Sequence, residues 1–292
     1  MTQVKQAGTG RRLFAVGPAL ALLPFLLFVT VFLLVPTVTV VLGAFRSDAG
    51  ITLGNIKALG NDAALTALWK SVLLSATTAV IGSTLGALLA YLAVSGNPDG
   101  VLRRLTVAVS GVLAQFGGVT LAFAFIATVG PAGVLTAALA AWPGIDLFGS
   151  GWLFGLPGLT LVYTYFQIPM MVIVFVPALE GLRIQWREAA VSLGASTWQY
   201  WREVAIPLLT PAFLGSLLLL FANSFAAYAT AAVLVSQGSP ITPLLIRSAL
   251  TSEVLLGQQN LAFALALEMI VVVALVMTGY NLLLKRTARW MQ

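Results

Sequence analysis

The chain has 292 residues, 60% hydrophobic and only 8% charged, with a formal net charge of +6. A soluble domain carries about 25% charged residues, because even a packed globule needs a hydrated surface; this composition excludes a water-solvated globule and makes lipid the main solvent. Neither cysteine nor histidine occurs, which excludes disulfides, thiolate metal sites and an imidazole base.

The excess of cations does not read as a nucleic-acid footprint, and no nucleic-acid partner is expected. Lys5, Arg11, Arg12, Arg103, Arg104, Lys285, Arg286 and Arg289 all sit just beyond apolar runs, where lysine and arginine orient a membrane protein. About 20 apolar residues cross a bilayer as a helix, because every backbone polar group must then be satisfied within the segment. Six runs qualify, at roughly 14–45, 64–94, 105–129, 158–180, 209–235 and 259–284. The fold class expected is therefore an all-α, polytopic membrane protein with six transmembrane helices.

The first run follows Arg11 and Arg12 and stays uncharged from Leu13 to Phe45. That is far longer than the apolar core of a signal peptide, so a retained span is expected. Pro18, Pro24 and Pro36 predict a kink or an in-plane stretch within it. The second run holds Gly82 and Gly86 in a Gly-x-x-x-Gly spacing, which lets helices approach closely, within one subunit or between two. The third carries Gln115.

The following loop, 130–157, is rich in glycine and proline; Ala132–Trp142 is expected as a short interfacial helix, with Trp142 and Trp152 in the headgroup zone. The loop either only connects two spans or docks a binding protein. The fourth run carries Gln167 and the fifth Asn223 and Tyr228. Loop 236–258 opens on the turn signal Ser-Gln-Gly-Ser-Pro, and a short helix is expected over Thr242–Glu253. Glu268 lies well inside the last run. A carboxylate there costs about 2.5–3.5 kcal/mol on insertion scales, so it faces a cavity or a partner rather than lipid. It either contacts cargo or staples helices together. Gln115, Gln167, Asn223, Tyr228 and Glu268 are the candidates for lining a translocation path.

An even number of spans puts both termini on one side. The segments on that side hold eleven of the fifteen lysines and arginines, leaving Arg46, Lys57, Lys70 and Arg247 for the other side. This asymmetry places both termini and the loop 181–208 in the cytoplasm. The division expected is a cytoplasmic segment 1–13, a single transmembrane domain 14–284 that includes the cytoplasmic loop 181–208, and a cytoplasmic tail 285–292.

That loop is the most informative stretch of the chain. Glu188 to Pro207 read EAAVSLGASTWQYWREVAIP. This resembles the signature loop of binding-protein-dependent ABC importer permeases: Glu-Ala-Ala, three residues, Gly, nine residues, Ile, one residue, Leu-Pro. The chain departs from it only in Val204 for Ile and Ile206 for Leu. Tyr91-Leu92-Ala93 resembles a common family ending of the second span. The resemblance implies a type I importer permease of a bacterial inner membrane, a multi-pass subunit forming half of a pathway. Arg187, Glu188, Ala189, Ala190, Gly194, Ala195 and Ser196 would form the coupling helix and its turn against an ATPase. Trp198, Tyr200 and Trp201 supply an apolar face to anchor the entry to the next span. The partners implied are two ATP-binding cassette ATPase subunits, a second permease subunit (identical or paralogous) and an extracytoplasmic substrate-binding protein. ATP and Mg would be bound by the partner ATPase, with no cofactor in this chain, which lacks a Gly-Lys-Ser/Thr phosphate loop.

Among relatives the sequence is similar to the polyamine, thiamine and phosphonate branch. The run Asn223–Tyr228 lacks the acidic residue that polyamine permeases often carry there, which favours a small monocation or zwitterion such as a thiamine-like compound. Two other classes fit the residues less well. A stand-alone channel or secondary transporter is the first; a secondary transporter should show broken helices at matched positions in inverted halves, and no such pattern is visible in the residues. An intramembrane enzyme is the second, and it lacks a nucleophile–base pair, since Glu268 is the one deep carboxylate.

Overall fold

The computed structural model describes residues 16–47, 50–96, 100–141, 148–149, 151–235, 241–251 and 259–288. The expectations for segment 1–13 and its cations, for Trp142, for the turn at 236–240, for Glu253 and for Arg289 lie outside the described residues.

The first apolar run forms α1 (Val16–Val29), a π-helical turn (Thr30–Leu34) and α2 (Val35–Ala44) in direct succession. Pro36 cannot donate to the ladder and its ring crowds the preceding turn; the wider π turn that ends two residues before it absorbs the mismatch. The hydroxyls of Thr30, Thr37 and Thr39 donate to carbonyls four residues back, at 2.8, 2.7 and 2.9 Å, so no polar side chain on this helix is left facing lipid unpaired. Beyond α2 comes a minimal hairpin, β1 (Arg46–Ser47) with β2 (Gly50–Ile51), and then α3 (Gly54–Ala58). Asn55 of α3 donates its Nδ2 to the carbonyls of Ala44 and Arg46, at 3.2 and 2.8 Å, and so closes the end of α2.

The core is built by α4 (Asp62–Ser95) and α8 (Leu156–Glu180). They run parallel and very close: a Cβ on Gly82 would stand 2.5 Å from the Cβ of Gln167, and one on Gly86 2.5 Å from the Cβ of Met171. Small residues thus do in this chain what large apolar ones do in water, since packing rather than solvent exclusion drives helix association in lipid. The long α11 (Ile206–Ala226) lies antiparallel against both. Thr78 and Ser224 hydroxyls pair at 2.9 Å, and Gln167 donates Nε2 to the Leu220 carbonyl at 2.9 Å. The last helix, α14 (Gln259–Ala288), returns beside α2 and α11; Tyr280 donates its hydroxyl to the Pro211 carbonyl at 2.6 Å.

Six helical stretches among the described residues are long and apolar enough to cross a bilayer: Leu22–Ala44, Asp62–Ser95, Gly118–Ala141, Leu156–Glu180, Thr197–Ala226 and Asn260–Leu282. Two runs differ from the expectation of single unbroken helices. The run 105–129 is divided into α5 (Val101–Gln115) and α6 (Gly118–Val129). Phe116 closes the first helix onto Val112 and Leu113, Gly117 is extended, and Gly118 takes φ +68°, a conformation that glycine adopts without steric cost. The helix expected at Ala132–Trp142 is α7 (Val134–Ala141). The run 209–235 starts earlier, at Ile206, and is divided at Ala227–Tyr228 into α11 and α12 (Ala229–Leu234). No glycine or proline marks that second break. There the extended Ala227 gives its carbonyl to the buried Tyr163 hydroxyl of α8 at 2.7 Å. Broken helices are therefore present after all. They run in the same direction, with Thr230 of α12 beside Gly118 of α6, so the inverted arrangement of many secondary transporters is not the one seen here.

Candidate functional site

Two regions gather the polar groups that an apolar chain must account for. One is the connection between α8 and α11. After Glu180 the chain turns at Gly181, Arg183 is extended, and α9 (Ile184–Ser192) follows with no buried residue. Arg187, Glu188 and Ala189 are exposed and Ala190 is half-buried. The end of α9 is a Schellman motif: Gly194 donates to the Val191 carbonyl and Ala195 to the Ala190 carbonyl, each at 2.9 Å. Gly194 has φ +81°, and a Cβ built on it would meet nothing within 4 Å. Glycine is needed there for the backbone and not for room. Leu193, 88% exposed, projects from the tip.

Ser196 is the N-cap of α10 (Thr197–Tyr200). Its Oγ accepts from the Gln199 amide at 3.3 Å, while Gln199 Oε1 accepts from the Ser196 amide at 2.7 Å, a reciprocal capping box. A π-helical turn, Trp201–Ala205, then leads into α11 and ends two residues before Pro207, the same accommodation as at Pro36. Tyr200 is buried, and Trp201 meets Tyr91 of α4 edge-on with centroids 5.1 Å apart. Trp198 is 68% exposed. An ion pair not foreseen from the sequence, Arg103 of α5 with Glu180 at the end of α8, stands at the same end of the bundle.

The other region is a cavity of about 290 Å³ where the two helix breaks meet. It is lined by Ala114, Gly117, Gly118, Phe166, Asn223 and the stretch from Ala226 to Thr230. Thr230 donates its hydroxyl to the Gly118 carbonyl at 3.1 Å, and no side chain caps the start of α6. Over the cavity's Tyr228 lies Arg247, its guanidinium carbon 5.9 Å from the ring centroid. Arg247 comes from α13 (Thr242–Thr251), within the helix expected at Thr242–Glu253, which is held to α4 where the Thr242 amide donates to Ser71 Oγ at 2.8 Å.

Of the path candidates, this geometry unites Asn223 and Tyr228. Gln115 ends α5 on an exposed surface beside the cavity. Gln167 is fully buried at the α4–α8 crossing with its Oε1 unpartnered. Glu268 sits half-buried on α14, its Oε2 also buried without a partner. Gly82 and Gly86 form the close face of α4 against α8. Sequence reasoning passed over Thr230, Tyr163 and Arg247. The tandem Gly117-Gly118 within an apolar run and the one cation of loop 236–258 were the available signals.

Comparison with known proteins accounts for this layout. The chain is 30% identical over 212 residues to the sulfate transport system permease protein CysW of Escherichia coli strain K12, covering 71% of this chain and 67% of that one. It is 33% identical over 175 residues to the probable ABC transporter permease protein y4fN of Sinorhizobium fredii, covering 58% of this chain but only 29% of that longer protein. In fold it is similar to a chain of a bacterial ABC transporter that imports the acidic polysaccharide alginate, with a TM-score of 0.73 and 18% identity over 92% of this chain and 94% of that one. Residues 82–289 match a family model that spans both helix breaks and α9, and the chain belongs to the family of binding-protein-dependent transport system inner membrane components.

Proposed function

We propose that this chain forms half of the translocation pathway of an ATP-driven importer of the bacterial inner membrane, and that α9 with its Gly194 turn is the element an ATPase grips. The observation that carries this reading is the exposed, doubly capped α9–α10 unit joined without slack to α11. The Schellman end and the capping box satisfy the backbone groups at the helix ends and fix the angle between α9 and α10, as a lever under load requires. Two ATPase subunits on the side of α9, a second permease subunit (identical or paralogous) and a binding protein on the side of α13 complete the assembly, and both chain termini lie on the ATPase side. ATP and Mg belong to the ATPase. Each nucleotide state shifts the pathway only through contacts that differ between the inward- and outward-open permease, and Arg187, Glu188, Ala189, Leu193 and Gly194 are the exposed groups that would make them.

The cargo reading follows a relative whose name gives a solute. CysW is named for sulfate transport, and the cation over Tyr228 suits an oxyanion. A second reading, a thiamine-like cation or zwitterion, is favoured by the orphaned Oε2 of Glu268. The test of the main reading is purification of the chain in mild detergent from its native membrane. Co-purification of a Walker-type ATPase, lost on Gly194→Val while the chain stays in the membrane, supports it. A chain that purifies alone and moves solute without ATP after reconstitution is a stand-alone transporter or channel, and the coupling reading is then wrong. Uptake of thiamine that falls with Glu268→Gln favours the second cargo reading over the first.

A further inference from the structure

We propose that Arg247 and the cavity beneath it form an anion-selective site on the cargo's path, with Arg247 at the mouth and Asn223, Tyr228 and Thr230 within. The proposal rests on the importer reading and names its substrate class, a small oxyanion. Depth comes first. The cavity's level is marked by the Thr78–Ser224 hydroxyl pair, and Thr78 stands at the middle of the 34-residue α4. Irregular backbone at mid-membrane depth is stable only if buried in protein or lining a water-filled space. Two breaks from different helices opening on one cavity are hard to explain as packing alone. Transport proteins place cargo at such discontinuities.

The charge at the mouth sets the class. Arg247 makes no salt bridge among the described residues, and a guanidinium is a planar cation with a fork of N–H donors. No carboxylate lines the cavity; its polar side chains are the amide of Asn223 and the hydroxyls of Tyr228 and Thr230. A permanent cation with no acidic neighbour in the cavity repels cationic cargo and raises the local concentration of anions. With its central carbon over the Tyr228 ring, the guanidinium has N–H groups for paired hydrogen bonds to an oxyanion, which a lysine could not form as a fork. The anchoring of α13 to Ser71 by the Thr242 amide and hydroxyl, at 2.8 and 3.3 Å, fixes the helix that carries this charge.

The test uses the intact assembly in proteoliposomes, with radiolabelled sulfate and molybdate as probes and thiamine as the cationic control. Arg247→Gln should raise KM for the oxyanion by about tenfold or more, the effect of losing one charge-assisted hydrogen bond. Arg247→Lys should fall between, and neither variant should shift the melting temperature, because the side chain is exposed. An unchanged KM in Arg247→Gln, or a wild-type assembly that takes up thiamine but neither oxyanion, or none of the three, overturns the proposal. The importer reading is judged separately, by whether any uptake requires ATP; ATP-independent oxyanion uptake sensitive to Arg247→Gln would sink that reading and leave the anion site standing.

Discussion

At the scale of single residues, glycine does two opposite jobs in this chain, and substitutions separate them. Gly194 has empty space around it and a left-handed backbone, so a side chain there is resisted only by the strain of that conformation, about 1–2 kcal/mol for an ordinary residue and less for asparagine. The expected order of ATP-driven uptake is therefore Gly, Asn, Ala, Val from highest to lowest, in parallel with the strain each places on the turn; a flat series would mean that the turn has no part in coupling. Gly86 is the converse. Its backbone is helical, but a Cβ would stand 2.5 Å from the Met171 Cβ and 2.6 Å from the Ile168 carbonyl oxygen. Gly86→Ala should cost about 1–3 kcal/mol by overpacking, seen as a lower melting temperature in detergent. The spacing of Glu188, Ala189, Ala190 and Gly194 and that of Gly82 with Gly86 could be read directly, because each motif is local. The environment of Glu268 could not, since whether a carboxyl finds a partner depends on which helices fold against it.

At the scale of elements, what the sequence hid were the interruptions within apolar runs. Hydropathy reports how long a run is, and it says little about where a helix is pulled apart inside it. Gly117-Gly118 left a local trace, while Ala227-Tyr228 left none; the contact seen at that break is from another helix, where Tyr163 donates its hydroxyl to the Ala227 carbonyl. As elements, the chain repeats a unit: a long helix (α4, α8), a reversal, a broken helix of the same direction (α5–α6, α11–α12) and a short helix (α7, α13). The second reversal carries α9, whose Glu-Ala-Ala and glycine spacing is what could be read from the sequence. If Tyr163 holds the second break open, Tyr163→Phe should cost roughly 0.6–1.7 kcal/mol, the range for interhelical hydrogen bonds in membranes. Hydrogen exchange across residues 226–230 is the readout. Faster exchange there, with α4 unaffected, is expected; slower exchange would mean that the helix heals once the hydroxyl is gone, and equal exchange would remove Tyr163 as the cause.

At the scale of the whole molecule, the two regions lie at different levels of one rigid frame. Ser71, which holds α13, and Tyr91, which meets Trp201, are about 30 Å apart along α4 at 1.5 Å per residue, the thickness of a bilayer's hydrocarbon core. A push on α9 therefore reaches the cavity through the packed α4–α8–α11 core, against which Leu182 and Trp201 pack on either side of α9. Such a lever works only if α9 faces the compartment that holds ATP, and the cation asymmetry predicts that it does. The chain contains no cysteine, so single-cysteine variants give a clean reading. Ser192 of α9 and Ser248 of α13 are both exposed serines whose hydroxyls bond only to carbonyls of their own helix, so Ser192→Cys and Ser248→Cys should fold normally. In intact cells a membrane-impermeant maleimide should label Ser248→Cys and spare Ser192→Cys until the inner membrane is opened. The reverse pattern would put α9 beyond the reach of any ATPase, and neither its capping geometry nor its Glu-Ala-Ala spacing could then have a coupling role.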